Sequence, residues 1–223
     1  MKERSGDFAM VDSSIMAAAH ELKSPISLVR QLALELEVTA SSQQNELLRQ
    51  IILTSERSLR LTTNLTRYRQ LNASLGQLDM EPINAQQLCE EVAHELWPLF
   101  RAYDRRIEVE RKRRAPLVIA NRDLLRRILL QFGDNALHYT NSSAVTLSSH
   151  KTGSGIRVGV RDGGPTSPVP KNPNIGRPAS SSLGLMLAKQ FASMMNGNVG
   201  DIRHRSGMTF YVEMLPSEQL SLL

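Results

Sequence analysis

The stretch His20-Glu21-Leu22-Lys23-Ser24-Pro25 lies on a predicted amphipathic helix. Apolar residues recur around it at spacings of three or four residues, at Ile15, Ala18, Leu22, Ile26, Val29, Ala33 and Leu36. This spacing is typical of a helix that buries one stripe in a bundle. Because successive residues turn by about 100°, His20 falls nearly opposite the stripe, and we expect its imidazole to face solvent.

Two neighbours of His20 bear on its chemistry. Glu21 is placed to orient the imidazole ring or to take its proton. Pro25 has no backbone N–H to donate to the carbonyl of Glu21, so the helix is weakened within one turn of the histidine. Most isolated exposed histidines are simply solvated surface residues. His20 therefore becomes a candidate phosphoacceptor only if the remaining chain supplies an ATP site.

A second helix is predicted from about Asn45 to Asn72, after a turn over Val38–Gln44. Its apolar residues have heptad-like spacing, which allows them to pack against the apolar stripe of the first helix. Neither helix buries its stripe alone, so we expect an antiparallel hairpin that pairs with a second copy in a dimeric four-helix bundle. Residues 1–76 are therefore predicted to form a dimerisation domain, and the protein a homodimer.

The periodicity changes after residue 77. Strands are predicted at Leu78–Pro82, Ile107–Glu110, Leu117–Ala120, Ala144–His150, Ile156–Arg161 and Met208–Leu215. Helices are predicted at Asn84–Tyr103, Asn121–His138 and Leu183–Met195. The fold class is thus α+β, with residues 77–223 forming a two-layer α/β sandwich whose helices cover one face of a mixed sheet.

Composition excludes several classes of protein. One cysteine in 223 residues rules out an internal disulfide framework and a multi-cysteine zinc site, and fits a reducing cytoplasm. The excess positive charge clusters at Arg101, Arg105 and Arg106, and then at Arg111, Lys112, Arg113 and Arg114. Because no aromatic residues or helix-turn-helix signature accompany them, we expect a solvated face or a docking patch and no nucleic-acid partner. No stretch suits a membrane span or a signal peptide, so any membrane attachment is expected through a region outside this chain.

Two motifs resemble those of known families. His20-Glu21-Leu22-Lys23-Ser24-Pro25 resembles the phosphoacceptor box of sensor histidine kinases. Leu129-Leu130-Gln131-Phe132-Gly133-Asp134-Asn135-Ala136-Leu137-His138-Tyr139-Thr140 resembles the N box of the ATP-binding module that histidine kinases share with gyrase-type ATPases, Hsp90-like chaperones and mismatch-repair ATPases. The resemblance implies that Asn135 coordinates nucleotide-bound Mg²⁺, with Gln131 offering a second oxygen. It also implies that His138 lies near the phosphates, where the family usually has Lys or Arg, and that Tyr139 lines the pocket.

Two later segments continue the resemblance. Val158-Gly159-Val160-Arg161-Asp162-Gly163-Gly164 resembles the G1 box, which implies that Asp162 accepts a hydrogen bond from the adenine amino group and that Gly164 allows close approach of the base. Ser180-Ser181-Ser182-Leu183-Gly184-Leu185 stands at the phosphate-binding G2 box, with Ser182 and Gly184 as candidate phosphate contacts. Because Ser180 and Ser182 replace glycines there, we expect weaker ATP binding or a different lid closure.

The resemblance implies a histidine protein kinase core that uses ATP and Mg²⁺. His20 would take the γ-phosphoryl group with Glu21 as base, and an aspartate of a response-regulator receiver domain would then receive it. Ser24, four residues after His20, would position water to dephosphorylate the regulator. The alternative is a degenerate kinase, acting as a dimeric scaffold or a regulator-binding or phosphatase module that binds nucleotide weakly.

Overall fold

A computed structural model describes residues 22–38, 41–73, 78–139, 144–163 and 179–217. The chain divides into two compact units, Met1–Gly76 and Gln77–Leu223. His20, Glu21 and Gly164 lie outside the described residues. Within the described part of the chain, no helix combines the length and the apolar character that crossing a membrane requires.

In the described part of the first unit lie two helices, α1 over residues 22–37 and α2 over Ser42–Ala73. Arg30 pairs with Glu56 at 3.0 Å, and Glu37 pairs with Arg49 at 3.3 Å. The ion pair nearer the end of α1, at Glu37, involves the earlier residue of α2, Arg49. The two helices therefore run antiparallel. Between these ion pairs lies a small buried cluster of Ala33, Leu48 and Ile52, against which Leu34 packs.

Helix α2 begins at Ser42, three residues before the predicted Asn45. Ser41 explains the difference, because its backbone N–H donates to Gln44 Oε1 at 3.0 Å, and the carbonyl of Ser41 accepts from the N–H of Asn45 at 2.9 Å. Such a return bond from the third helical residue is half of a capping box. Residues 42–44, which the sequence predicts as part of a turn, therefore form the start of the helix.

Much of the predicted apolar stripe is exposed within one chain. Leu22 is 51% exposed, Val29 48% and Leu36 58%. On α2, Leu47 and Ile51 are exposed as well. The hairpin therefore leaves apolar side chains uncovered in the described residues, and their burial by a second copy stays a prediction.

The second unit is an α+β domain with a mixed sheet, as predicted. Its strands are β1 (Glu81–Asn84), β2 (Arg106–Val109), β3 (Leu117–Ala120), β4 (Ala144–Lys151), β5 (Ile156–Asp162), β6 (Asn198–Arg203) and β7 (Met208–Met214). Its helices are α3 (Ala85–Ala102), α4 (Arg122–Tyr139) and α5 (Ala179–Met194). The main sheet has the order β2-β4-β5-β7-β6, in which β2 and β4 are parallel and the other neighbours antiparallel. Strands β1 and β3 form a separate antiparallel pair.

Local sequence accounts for several of these boundaries. The Asn84 side chain caps α3, accepting from the N–H groups of Gln86 and Gln87 at 3.1 Å each, which confirms the predicted cap. Strand β1 lies a few residues later than predicted and includes Pro82, which a two-stranded edge tolerates. Helix α5 begins at Ala179, four residues before the predicted Leu183.

The core lies between the helices and the main sheet. Helix α4 is buried along most of its length, and its Phe132 ring packs against Phe210 of β7 with a centroid distance of 6.0 Å. Fully buried partners from the other elements include Leu88, Val92, Leu96, Phe100, Val145, Leu147, Val158, Phe191 and Val212. Helix α4 is therefore held in place by packing against α3, α5 and the main sheet.

Candidate functional site

Two carboxamide side chains on α4 meet one helical turn apart. Gln131 is 4% exposed and Asn135 is 5% exposed, and Gln131 Nε2 donates to Asn135 Oδ1 at 3.2 Å. Burying amides is costly unless they are hydrogen-bonded, so this contact helps to hold both side chains in one orientation. A carboxamide oxygen has two lone pairs, and neutral oxygens of this kind suit Mg²⁺. The pair therefore fits the metal-binding role that the sequence suggested.

Gly184 on α5 lies directly against Gln131. A Cβ atom built at Gly184 would lie 2.5 Å from Gln131 Nε2 and 2.6 Å from its Cδ, closer than real Cβ atoms approach other atoms. A residue larger than glycine at 184 would therefore displace the Gln131 carboxamide. The structure thus brings together three residues that the sequence singled out, and it shows a packing reason for the glycine.

Asp162 ends β5 and is held by the turn between β6 and β7. Its Oδ1 accepts from the backbone N–H of Met208 at 3.2 Å. Gly207 has φ of +83°, and a Cβ there would collide with the carbonyl oxygen of Asp162. Ser206 Oγ donates to the carbonyl of Gly163 at 2.9 Å. The carboxylate is therefore oriented by the backbone, in a position to accept from an amino group.

The sequence did not indicate that the β6–β7 turn holds Asp162 in place. The sequence marked the segment around Ser206-Gly207 as part of a closing hairpin with an architectural role. The Ser-Gly pair was the available signal, since such pairs mark turns in which glycine adopts a positive φ. What the sequence did not show is that this turn reaches the end of β5.

The other predicted residues are spread over the described elements. His138 and Tyr139 lie in the last turn of α4, and Ser182 lies in the first turn of α5. Ser24 is exposed on α1 in the first unit. The predicted roles of His20, Glu21 and Gly164 concern residues outside the described part of the chain.

Residues 120–219 match the family model described as histidine kinase-, DNA gyrase B- and HSP90-like ATPase. The adaptive-response sensory kinase SasA of Gloeothece citriformis is 27% identical over an alignment covering 74% of this chain and 44% of that protein. SasA of Synechocystis sp. is 23% identical, with 90% of this chain and 58% of that protein covered. The chain thus spans about half the length of the curated relatives it matches.

Solved structures show the same fold. Full-length ShkA in complex with AMPPNP superposes with a TM-score of 0.64 at 24% identity, covering 95% of this chain and 47% of that one. The Acinetobacter baumannii histidine kinase AdeS superposes with a TM-score of 0.56 at 16% identity, covering 88% of this chain and 97% of that one. Residues 120–219, which make up most of the second unit, therefore match the histidine kinase-, DNA gyrase B- and HSP90-like ATPase family, in agreement with the sensory kinases among the relatives.

Proposed function

We propose that this chain is the catalytic core of a histidine protein kinase that phosphorylates His20 from ATP and passes the group to a response regulator. The observation that carries the proposal is the contact between Gln131, Asn135 and Gly184 in a domain of the ATP-binding family. The phosphoacceptor segment precedes this domain in the chain, and its residues from 22 onward continue into α1.

The nucleotide would be held at both of its ends. Asn135 Oδ1 and Gln131 Oε1 are the candidate protein oxygens for Mg²⁺, which when bound neutralises phosphate charge. Asp162 would accept a hydrogen bond from the adenine amino group, and its backbone partner Met208 keeps the carboxylate in place for this contact. A carboxylate acceptor at this point selects adenine over guanine, because guanine has a carbonyl oxygen there.

In the proposed reaction, an imidazole nitrogen of His20 forms a bond to the γ-phosphorus while the bond from that phosphorus to the bridging oxygen of ADP breaks. Glu21 takes the ring proton. In the second step, a carboxylate oxygen of the regulator attacks the phosphorus and the nitrogen–phosphorus bond breaks. Ser24 is exposed and lies four residues after His20 in the sequence, so its hydroxyl is the candidate group to orient a water molecule against the phosphorylated regulator.

A homodimer is part of the proposal. The exposed apolar side chains of α1 and α2, among them Leu22, Val29 and Leu36, lie in the unit predicted to form a four-helix bundle. Complete burial of a fully exposed side chain of this kind is worth about 1.5–3 kcal/mol, and burial of the half that remains exposed here contributes roughly half of that. A second copy packed against this surface would bury the exposed apolar side chains of both chains.

One observation favours the alternative of a degenerate kinase. Because α5 begins at Ala179, Ser180 and Ser182 have helical backbone, whereas a glycine-rich phosphate loop uses conformations with positive φ. A regulator-binding scaffold with weak nucleotide affinity would tolerate this change. Autophosphorylation decides between the two functions.

The experiment incubates the full chain with radiolabelled ATP and Mg²⁺. A kinase gives acid-labile, base-stable label that His20→Gln abolishes. The matched control is His94→Gln, because His94 is an exposed histidine on α3 and its loss should leave labelling unchanged. Absence of label from a folded dimer would contradict the kinase and support the scaffold.

A further inference from the structure

Arg105 occupies a different environment from the basic surface to which its sequence neighbours belong. It follows a tight turn at the end of α3, in which its backbone N–H donates to the carbonyl of Phe100 at 3.0 Å. The preceding Asp104 adopts a φ of 53°, the left-handed conformation that commonly ends a helix. The backbone of Arg105 is thus fixed to the end of α3, and its side chain is half-buried.

The Arg105 guanidinium reaches the end of α4. Its Nη1 donates to the backbone carbonyl of Leu137. Helix α4 ends at Tyr139, so this carbonyl is one of the last four that have no partner within the helix. A cation there also interacts favourably with the partial negative charge of the helix C-terminus. Burial lowers the pKa of Arg105, but an arginine stays protonated throughout the physiological range.

The contact lies beside the nucleotide-binding residues. Leu137 follows Asn135 by two positions, and His138 and Tyr139 complete the same helical turn. These are the last residues of α4, and the end of a helix frays unless its carbonyls find partners. A fixed cap on Leu137 therefore determines how well the nucleotide-facing turn is ordered before ATP arrives.

We propose that Arg105 is a positioning residue for nucleotide binding, which fixes the last turn of α4 through the Leu137 carbonyl. The proposal rests on the proposed function, since it assumes that this turn contacts ATP. Arg105 itself does not need to touch the nucleotide. Arg105 is thereby assigned to the site and removed from the solvated face or docking patch that the basic cluster predicted.

The test compares Arg105→Ala with Arg106→Ala in the full chain. Arg106 is exposed on β2, so its loss removes the same charge one residue away without removing the cap. We expect Arg105→Ala to raise the Kd for Mg-ATP, measured by calorimetry, about five- to tenfold, and Arg106→Ala to leave it within about twofold. Arg105→Lys restores a cationic donor and should return the Kd to within about twofold of the original value.

A second readout does not depend on nucleotide. Hydrogen exchange of the backbone amides of residues 137–139 should be faster in Arg105→Ala than in Arg106→Ala, and slowed again in Arg105→Lys. If the unaltered chain does not bind Mg-ATP, the proposed function fails, whereas the exchange rates still test the cap. If Arg105→Ala does not fold, Arg105→Gln replaces it, because glutamine keeps part of the side-chain volume without the charge. Equal Kd values for the variants at 105 and 106 would overturn the proposal whatever the exchange rates, and equal exchange rates would overturn it by showing that the contact does not order the turn.

Discussion

Gln131 donates a hydrogen bond to Oδ1 of Asn135 across one turn of α4, and Gly184 of α5 lies against the Gln131 carboxamide. The hydrogen bond determines which atom of the Asn135 carboxamide faces its neighbour. The glycine determines whether Gln131 can stay where it is. The three residues therefore act as one unit, and a change in one should alter the function of the others.

Gly184→Ala should weaken Mg-ATP binding about tenfold, because the added Cβ displaces the buried Gln131 carboxamide. The effect on stability should be smaller, since alanine favours a helix over glycine by about 1 kcal/mol. Calorimetry and thermal melting measure the two quantities. Gly153→Ala is the control, because a Cβ at Gly153 meets nothing within 4 Å.

The coupling itself is measured with a double-mutant cycle of Gly184→Ala and Gln131→Ala. Shortening residue 131 removes the atoms that the new Cβ would displace. The two changes together should therefore destabilise the protein by less than the sum of their separate effects. If the two changes in the free energy of unfolding simply add, the contact between α4 and α5 carries no strain in Gly184→Ala.

Asn135→Ala should abolish the autophosphorylation proposed for His20 and leave dimerisation unchanged. The variant loses a candidate Mg²⁺ ligand and removes the acceptor of the Gln131 amide, which costs about 1–3 kcal/mol of stability. Label incorporation and sedimentation measure the two outcomes. Asn198→Ala, at an exposed position of β6, serves as the control. Full labelling of Asn135→Ala would remove Asn135 from the proposed site.

Asp162→Asn should reduce the preference for ATP over GTP. The side-chain oxygen of asparagine can still accept from the Met208 N–H, so the turn is preserved. Its amide nitrogen would then face the base, where it opposes the adenine amino group and suits the guanine carbonyl. Competition binding with the two nucleotides measures the ratio of affinities, and Asp201→Asn on the exposed part of β6 is the control. An unchanged ratio would show that Asp162 does not read the base.

Leu36→Lys should weaken the proposed homodimer by at least about tenfold, because the lysine charge would have to be buried in the interface. Leu36 is 58% exposed in the single chain, so the substitution should not disturb the fold of the hairpin. Sedimentation equilibrium measures the dimer Kd. Leu215→Lys is matched, since Leu215 is 54% exposed in the second unit. Equal dimer affinity in both variants would place the interface elsewhere.

Glu213→Gln should lower the melting temperature at pH 7 and have a smaller effect in acid. Hydrogen bonds from Ser154 and then Arg157 lower the pKa of Glu213 below its usual value. A carboxyl group with a lowered pKa in the folded state contributes stability above its unfolded pKa, and loses it as the pH falls through the folded one. The difference in melting temperature should therefore shrink below about pH 4. Glu108→Gln, at an exposed position of β2, is the control for the loss of one surface carboxylate.

Local patterns were sufficient to predict most of the second unit. The buried face of α4 and the Asn84 cap both follow from residues close in sequence, and both are found in the structure. Strand β6 was not predicted, because Gly200 and Asp201 interrupt its apolar pattern. Its place in the sheet depends on pairing with β7 and on the Tyr211 side chain, which lies where a Cβ of Gly200 would be.

The candidate site was predicted as a set of residues and not as a set of contacts. The motif identified Asn135 and Asp162, but the partners that orient Asp162 lie about 45 residues later in the chain. Arg105 was grouped with its basic neighbours, since nothing in the local sequence shows that it reaches Leu137. Contacts of this kind depend on tertiary packing, which spacing alone does not reveal.

The bond from Met208 to Asp162 also has a consequence for protein synthesis. The ribosome synthesises α4 and β5 well before the β6–β7 turn. Leu215 and Ser217, which form hydrogen bonds with β3, are synthesised later still. A nascent chain that has emerged only as far as residue 200 therefore holds the helix residues proposed for the phosphates but has no means of orienting the carboxylate proposed for adenine. Under the proposed function, selective binding of an adenine nucleotide therefore requires that nearly the whole domain has left the ribosome.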